Sequence, residues 1–124
     1  MFFLVVRAYL LLIRFELCLV RGDFATLYAA VRQRRCRNGI RDAQSIPLVS
    51  SAIDMACIWY WKQVLCLQRS AATACLLKDH GVPAQLVIGA QLMPFQAHAW
   101  VEVEGRVVND SEYTKEMYAV LDRC

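Results

Sequence analysis

The chain is poor in histidine, in paired cysteines and in unbroken apolar sequence, and each shortage removes a class of function. Two histidines in 124 residues leave only His80 and His98 as imidazole bases. The six cysteines (Cys18, Cys36, Cys57, Cys66, Cys75, Cys124) contain no CxxC pair, so no metal site is expected. They are also too sparse for a disulfide scaffold, which takes roughly 8–10% cysteine. The reading is free thiols in a reducing cytoplasm. The first residues are apolar but interrupted by Arg7, Arg14 and Glu16. No uncharged run there reaches the ~20 residues of a bilayer span. A basic start and a small-residue cleavage site are lacking too, so neither a secretory signal nor membrane contact is expected. There is no internal repeat and no low-complexity segment. Residues 1–45 hold eight arginines and no lysine against Glu16, Asp23 and Asp42, while the remainder leans acidic. With no base-reading or stacking motif beside them, these arginines read as a solvated helix face, and nucleic acid is not an expected partner. No cofactor is expected.

What is abundant is apolar sequence. Hydrophobic residues make up 58% of the chain and the mean hydropathy is +0.34. That surplus points to apolar surface kept for a partner. Residues 2–20 read as a helix whose arginines, seven apart, mark one polar edge. Asp23 suits the N-cap of a second helix from Phe24 to about Arg35. Asn38-Gly39 breaks the chain, and RNGIRDAQS reads as a linker. Pro47 suits the first turn of a third helix running to about Lys62, whose Met55, Trp59, Tyr60 and Trp61 offer bulk for a small core. A fourth helix spans Cys66 to Lys78, closed by His80 and Gly81. The period then switches to two. Strands are expected at Ala84–Ala90, Ala97–Val103 and Arg106–Asp110, with the tail ambiguous between helix and strand. Helices followed by an antiparallel meander make an α+β fold. The expected division is a helical extension at 1–45 on a domain at 46–124.

Among the thiols, Cys66 stands apart because it begins a helix. Unpaired backbone N–H groups and the helix dipole favour an anion there and can later hold an oxyanion. Cys57 and Cys75 lie among apolar helix neighbours, Cys18 sits in the first apolar helix, and Cys36 and Cys124 lie in a linker and at the terminus. Arg69 adds positive field or ties the helix to a carboxylate. Gln63 is an extra oxyanion donor or simply a solvated polar residue.

His80, at a helix end, reads as structural. His98 lies on a strand that alternates Ala97, Ala99, Val101 and Val103 toward the core with His98, Trp100 and Glu102 outward. A three-residue loop at 103–105 sets Glu102 against Arg106 and His98 against Asp110. A two-residue loop instead brings Asn109 to the histidine's side. The first register is preferred, with Asn109 as the alternative to Asp110. Cys66, His98 and Asp110 then compose a nucleophile, a base and an orienting acid.

At these residues the chain resembles the leader peptidases of lasso-peptide biosynthesis, the B proteins in their split form. The pieces are CLQRS at 66–70, HGVPAQLVIGA at 80–90, PFQAHAWVEVEG at 94–105 and RVVND at 106–110. The resemblance implies a transglutaminase-like, papain-type core with the nucleophile's helix packed on an antiparallel sheet. It implies a cysteine endopeptidase that cuts a precursor peptide at the leader–core junction, with Cys66, His98 and Asp110 as its triad. It also implies a separate leader-recognition protein, for which the N-terminal helices are a docking surface, and a lasso cyclase acting next. A silent peptide-binding adaptor and a transglutaminase-type acyl transferase are the alternatives.

Overall fold

The computed structural model describes residues 2–37 and 44–124. The expected break at Asn38-Gly39 lies outside the described residues. Five helices and four strands follow in order: α1 Phe2–Val20, α2 Phe24–Gln33, α3 Ser45–Trp59, α4 Cys66–Asp79, β1 Ala84–Leu92, β2 Phe95–Val103, β3 Arg106–Val107, α5 Thr114–Met117 and β4 Ala119–Arg123. The strands make one antiparallel sheet in the order β3-β2-β1-β4. The ambiguous tail is both things: a single helical turn and an edge strand.

Local sequence explains the boundaries. Asp23 caps α2 by accepting a hydrogen bond from the Thr26 amide at 3.1 Å. The end of α4 is closed by the amides of Gly81 and Val82 reaching back to the carbonyls of Lys78 and Leu77 at 3.0 and 2.9 Å, a double-bonded C-terminal cap. Helix α3 stops at Trp59, short of the expected Lys62. Tyr60 there turns extended and drops its ring into the core beside Tyr9, centroids 5.2 Å apart. The aromatic bulk expected of this segment is therefore mostly outside. Trp59 and Trp61 are 72% and 68% exposed, because the buried face of α3 is the close-packing set Val49, Ala52, Ile53 and Ala56.

Helix α4 is the centre of the molecule. It lies on β1 and β2, and α1, α2 and α3 pack around it. Leu12, Phe15, Leu27, Val31, Ile53, Leu76, Leu77, Leu86 and Val101 belong to one buried cluster. Helices α1 and α2 thus share one core with α3, α4 and the sheet. Asp79, at the end of α4, holds Arg7 of α1 at 2.5 Å and Arg34 at 2.6 and 2.9 Å. Lys78 donates to the Val31 carbonyl at the end of α2, 2.8 Å away. Among the described residues, no helix is long and apolar enough to cross a membrane.

The hairpin between β2 and β3 differs from the preferred register. Val103 pairs with Arg106 and Glu102 with Val107, so the loop is the two-residue Glu104-Gly105. Both residues take positive φ, +52° and +80°, the conformation whose twist suits a tight hairpin. Glu102 therefore does not face Arg106. Nor do Trp100 and Glu102 face outward. They are 0% and 1% exposed, because the tail sends Tyr118 and Arg123 over that side of the sheet.

Candidate active site

Cys66 is the first residue of α4, where the sequence placed a helix start, and it is exposed. The helix start is fixed by Gln68, which the sequence reading overlooked. Its carboxamide oxygen accepts from the Leu65 amide at 3.3 Å, and its nitrogen donates to the Leu12 carbonyl of α1 at 2.7 Å and the Tyr60 hydroxyl at 3.3 Å. One buried side chain thus ties α1 and the end of α3 to the residue before the thiol. A glutamine three residues past a helix start is a recognisable signal of this kind. The N–H groups of the first turn of α4 have no partner within the helix.

The other five thiols differ in setting. Burial pushes Cys75 up to about 11, and it raises Cys57 and Cys124 as well. Those three stay protonated at neutral pH. All six cysteines are free.

His98 Nε2 meets Asp110 Oδ2 at 2.5 Å. The pair forms despite the unexpected register, because β3 ends at Val107 and strict alternation ends with it. The Val108 amide makes one more bond, to the Val101 carbonyl at 3.0 Å. Asn109 then substitutes its side chain for the ladder. Its Oδ1 accepts from the Val101 amide at 2.8 Å, and its Nδ2 donates to Ser70 Oγ at 3.0 Å. Ser70 in turn donates to the Ala99 carbonyl at 3.1 Å. Asn109 is thereby held against α4, and Asp110 swings back to the imidazole.

Burial raises the Asp110 carboxyl. The His98 bond, the Ser111 amide and the positive fields of His98 and Arg69 outweigh it, so the group stays below the usual carboxylate value. Arg69 itself is bound to Asp54 of α3. Gln63 is exposed in the connection before α4, and it is not among the residues lining the cleft at Cys66.

The imidazole is flanked by two aromatic rings, Trp100, which the strand alternation set on the same face, and Tyr118, which sequence reasoning did not place. Tyr118 lies 5.3 Å from it and Trp100 5.9 Å, centroid to centroid. Trp100 is pinned by Glu102, whose Oε2 accepts from the indole Nε1 at 2.8 Å and whose Oε1 accepts from Arg123 at 2.5 Å. Gly89, paired with His98 across the sheet, makes room for the indole: a Cβ there would come within 2.6 Å of the ring.

Cys66 and His98 are walls of one cleft of about 330 Å³, whose other lining includes Leu19, Phe24, Leu67 and Ile88. Among the described residues no hydrogen bond joins the thiol to the ring. Asp110 occupies Nε2 and leaves Nδ1 outside that bond. Among the described residues no group of three or more His, Cys, Asp or Glu is placed to hold a metal ion.

A model described as the transglutaminase-like superfamily matches residues 9–123. Over 56 residues the chain is 39% identical to the microcin J25-processing protein McjB of Escherichia coli, a stretch that is 45% of this chain and 27% of that protein. The match thus spans about a quarter of that relative's length. No solved structure matches.

Proposed function

The chain belongs to the transglutaminase-like superfamily, and we propose that within it the protein is a cysteine endopeptidase that removes the leader from a lasso-peptide precursor. One observation carries the reading. The hydrogen bond to Asp110 engages Nε2 of His98 and leaves Nδ1 outside that bond, and His98 lines a cleft whose wall also holds an exposed cysteine at a helix start. The likeness to a processing protein supports the substrate class.

In this reading His98 Nδ1 takes the thiol proton, and Sγ attacks the carbonyl carbon at the leader–core junction. The first-turn N–H groups of α4 hold the oxyanion. As the C–N bond breaks, His98 returns the proton to the leaving amine, and the acyl group stays on sulfur as a thioester. Water, deprotonated by His98, hydrolyses the thioester and frees the thiol. Asp110 keeps the Nε2–H tautomer in place and steadies the imidazolium. Arg69 adds positive field at Asp110, and Asn109 positions the acid without touching the ring. Gln63 has no part in the cleft.

The reaction takes place in a reducing cytoplasm with a recognition protein supplied in trans. Phe3, Leu10, Leu17 and Val20 of α1 are exposed apolar side chains that suit docking of that partner. A lasso cyclase takes the freed core. The test is to incubate the purified chain with a precursor, its recognition protein and fresh thiol, and to weigh the products. Free leader should appear with the unaltered chain and not with Cys66→Ala. Release that survives Cys66→Ala, or no release from the unaltered chain, rejects the reading.

A further inference from the structure

We infer that the cleft between Cys66 and His98 selects a peptide carrying a large apolar side chain within a residue or two of the carbonyl attacked, and that the peptide continues along a trough between α2 and β4. The inference rests on the proposed reaction at Cys66 and adds the side-chain class that the site accepts.

The cleft is apolar apart from the two reacting groups. Leu19 of α1, Phe24 of α2, Leu67 of α4 and Ile88 of β1 wall it, and the small side chains of Ala97 and Ala99 line it on either side of His98 in sequence. Its volume of about 330 Å³ exceeds the roughly 150 Å³ in which a benzene-sized ring is bound by an apolar cavity. A charged side chain entering it finds no partner on these walls and loses its water. Because Cys66 and His98 are themselves lining residues, a side chain that fills the cleft is close in sequence to the reacting carbonyl.

The trough of about 610 Å³ shares Phe24 and Ile88 with the cleft, so the two adjoin. Ala25 and Ala29, one helical turn apart, keep the α2 wall low. Arg32 and Asp122 stand among its lining residues and not in the cleft. Apolar recognition is therefore concentrated at the cut, and polar recognition lies farther along the chain.

The test uses N-acetyl dipeptidyl chloromethyl ketones with Phe, Leu, Asp or Lys at the first or second residue from the ketone. Each alkylates a thiol by displacement of chloride, with release of a proton. Labelling of Cys66 is followed by peptide mass, and every rate is divided by that of iodoacetamide on the same protein, which cancels changes in the thiol itself. At one of the two positions Phe and Leu should label roughly 10- to 100-fold faster than Asp or Lys. Phe24→Asp, at an exposed helix start, should raise the Lys-to-Phe ratio at least tenfold. Ala29→Trp should lower the ratio of a tetrapeptidyl to a dipeptidyl ketone several-fold. Equal normalised rates across the series in the unaltered chain, or a preference for Asp or Lys, overturn the cleft assignment, and they do so without Phe24→Asp. An unchanged ratio in Ala29→Trp overturns the trough. Normal iodoacetamide labelling with no precursor cleavage rejects the protease reading instead, so the two failures are distinct.

Discussion

The two faces of β2 are both covered, yet they are built differently. Ala99, Val101 and Val103 lie against α4 in the main core, where only volume and shape matter. His98, Trp100 and Glu102 lie under Tyr118 and Arg123, joined by hydrogen bonds and ring contacts with named partners. An apolar face tolerates rearrangement at constant volume. A polar one does not, because each buried donor needs its own acceptor. The contrast places the imidazole on the face with the fewest alternative arrangements.

The largest effect expected divides two neighbours. Asp110→Ala removes the group on Nε2, and in the proposed reaction it should lower kcat by about 10⁴ with a smaller loss of unfolding midpoint than Asn109→Ala. Asn109→Ala touches no reacting atom. It unpairs the Val101 amide and the Ser70 hydroxyl, so it should cost roughly 1–3 kcal/mol of stability and leave the normalised pH profile alone. Kinetics and urea unfolding of both variants check this. Comparable kcat losses would mean that the acid has no special role.

Some of this pair of roles was legible in the sequence and some was not. The start of α4 at Cys66 and the alternation of β2 could be read because both are local. The His98–Asp110 pairing came from a register that the structure does not have. It survives because β3 is only two residues long, a length that the consecutive valines at 107 and 108 cannot announce. Trp100 and Glu102 looked solvent-facing for a related reason. Their covers, Tyr118 and Arg123, lie at the far end of the chain, and nothing local to β2 reports them. Gln68 went unread because the α1 carbonyl that its side chain binds lies 56 residues away in the chain.

Changing pH should load the two faces separately. Burial holds the Cys75 thiol near 11 against an ordinary 9.0, so the unfolded chain loses this proton before the native one does. The contribution is intact below pH 9 and is lost as pH rises toward 11. The loss is on the order of 3 kcal/mol at the α4 side. Asp110 is depressed, so its contribution is intact above the ordinary carboxylate range and lost as pH falls below it. Urea midpoints at stepped pH should therefore fall at both ends. Cys75→Ala should flatten the alkaline limb only, and an alkaline limb unchanged by that variant would refute the assignment.

Gly89→Ala attacks the ordered face through its tightest approach. The added methyl would meet the Trp100 ring at 2.6 Å and the Tyr118 Cβ at 3.0 Å, so the indole must move. Overpacking of this kind costs about 1–3 kcal/mol. Because Trp100 contacts His98, kcat should fall together with stability. A variant that loses stability at full kcat would show that the aromatic rings cover the imidazole without orienting it.

The smallest change asked of the molecule is Glu102→Gln, which conserves volume. A face held only by packing would not register it. Here the carboxylate accepts from Trp100 and Arg123 at once. A carboxamide keeps one acceptor oxygen and must turn its NH₂ toward one of two donors. Arg123 is 40% exposed and can return to water, which recovers part of the loss, so the expected cost is about 1 kcal/mol. Glu102→Leu also strands the indole N–H in the interior and should cost about 1–3 kcal/mol more. The ratio of the two effects, read from urea unfolding, measures how much of the His98 face is held by directed bonds. Equal stabilities for Glu102→Gln and the unaltered chain would reduce that face to packing and erase its contrast with the face on α4.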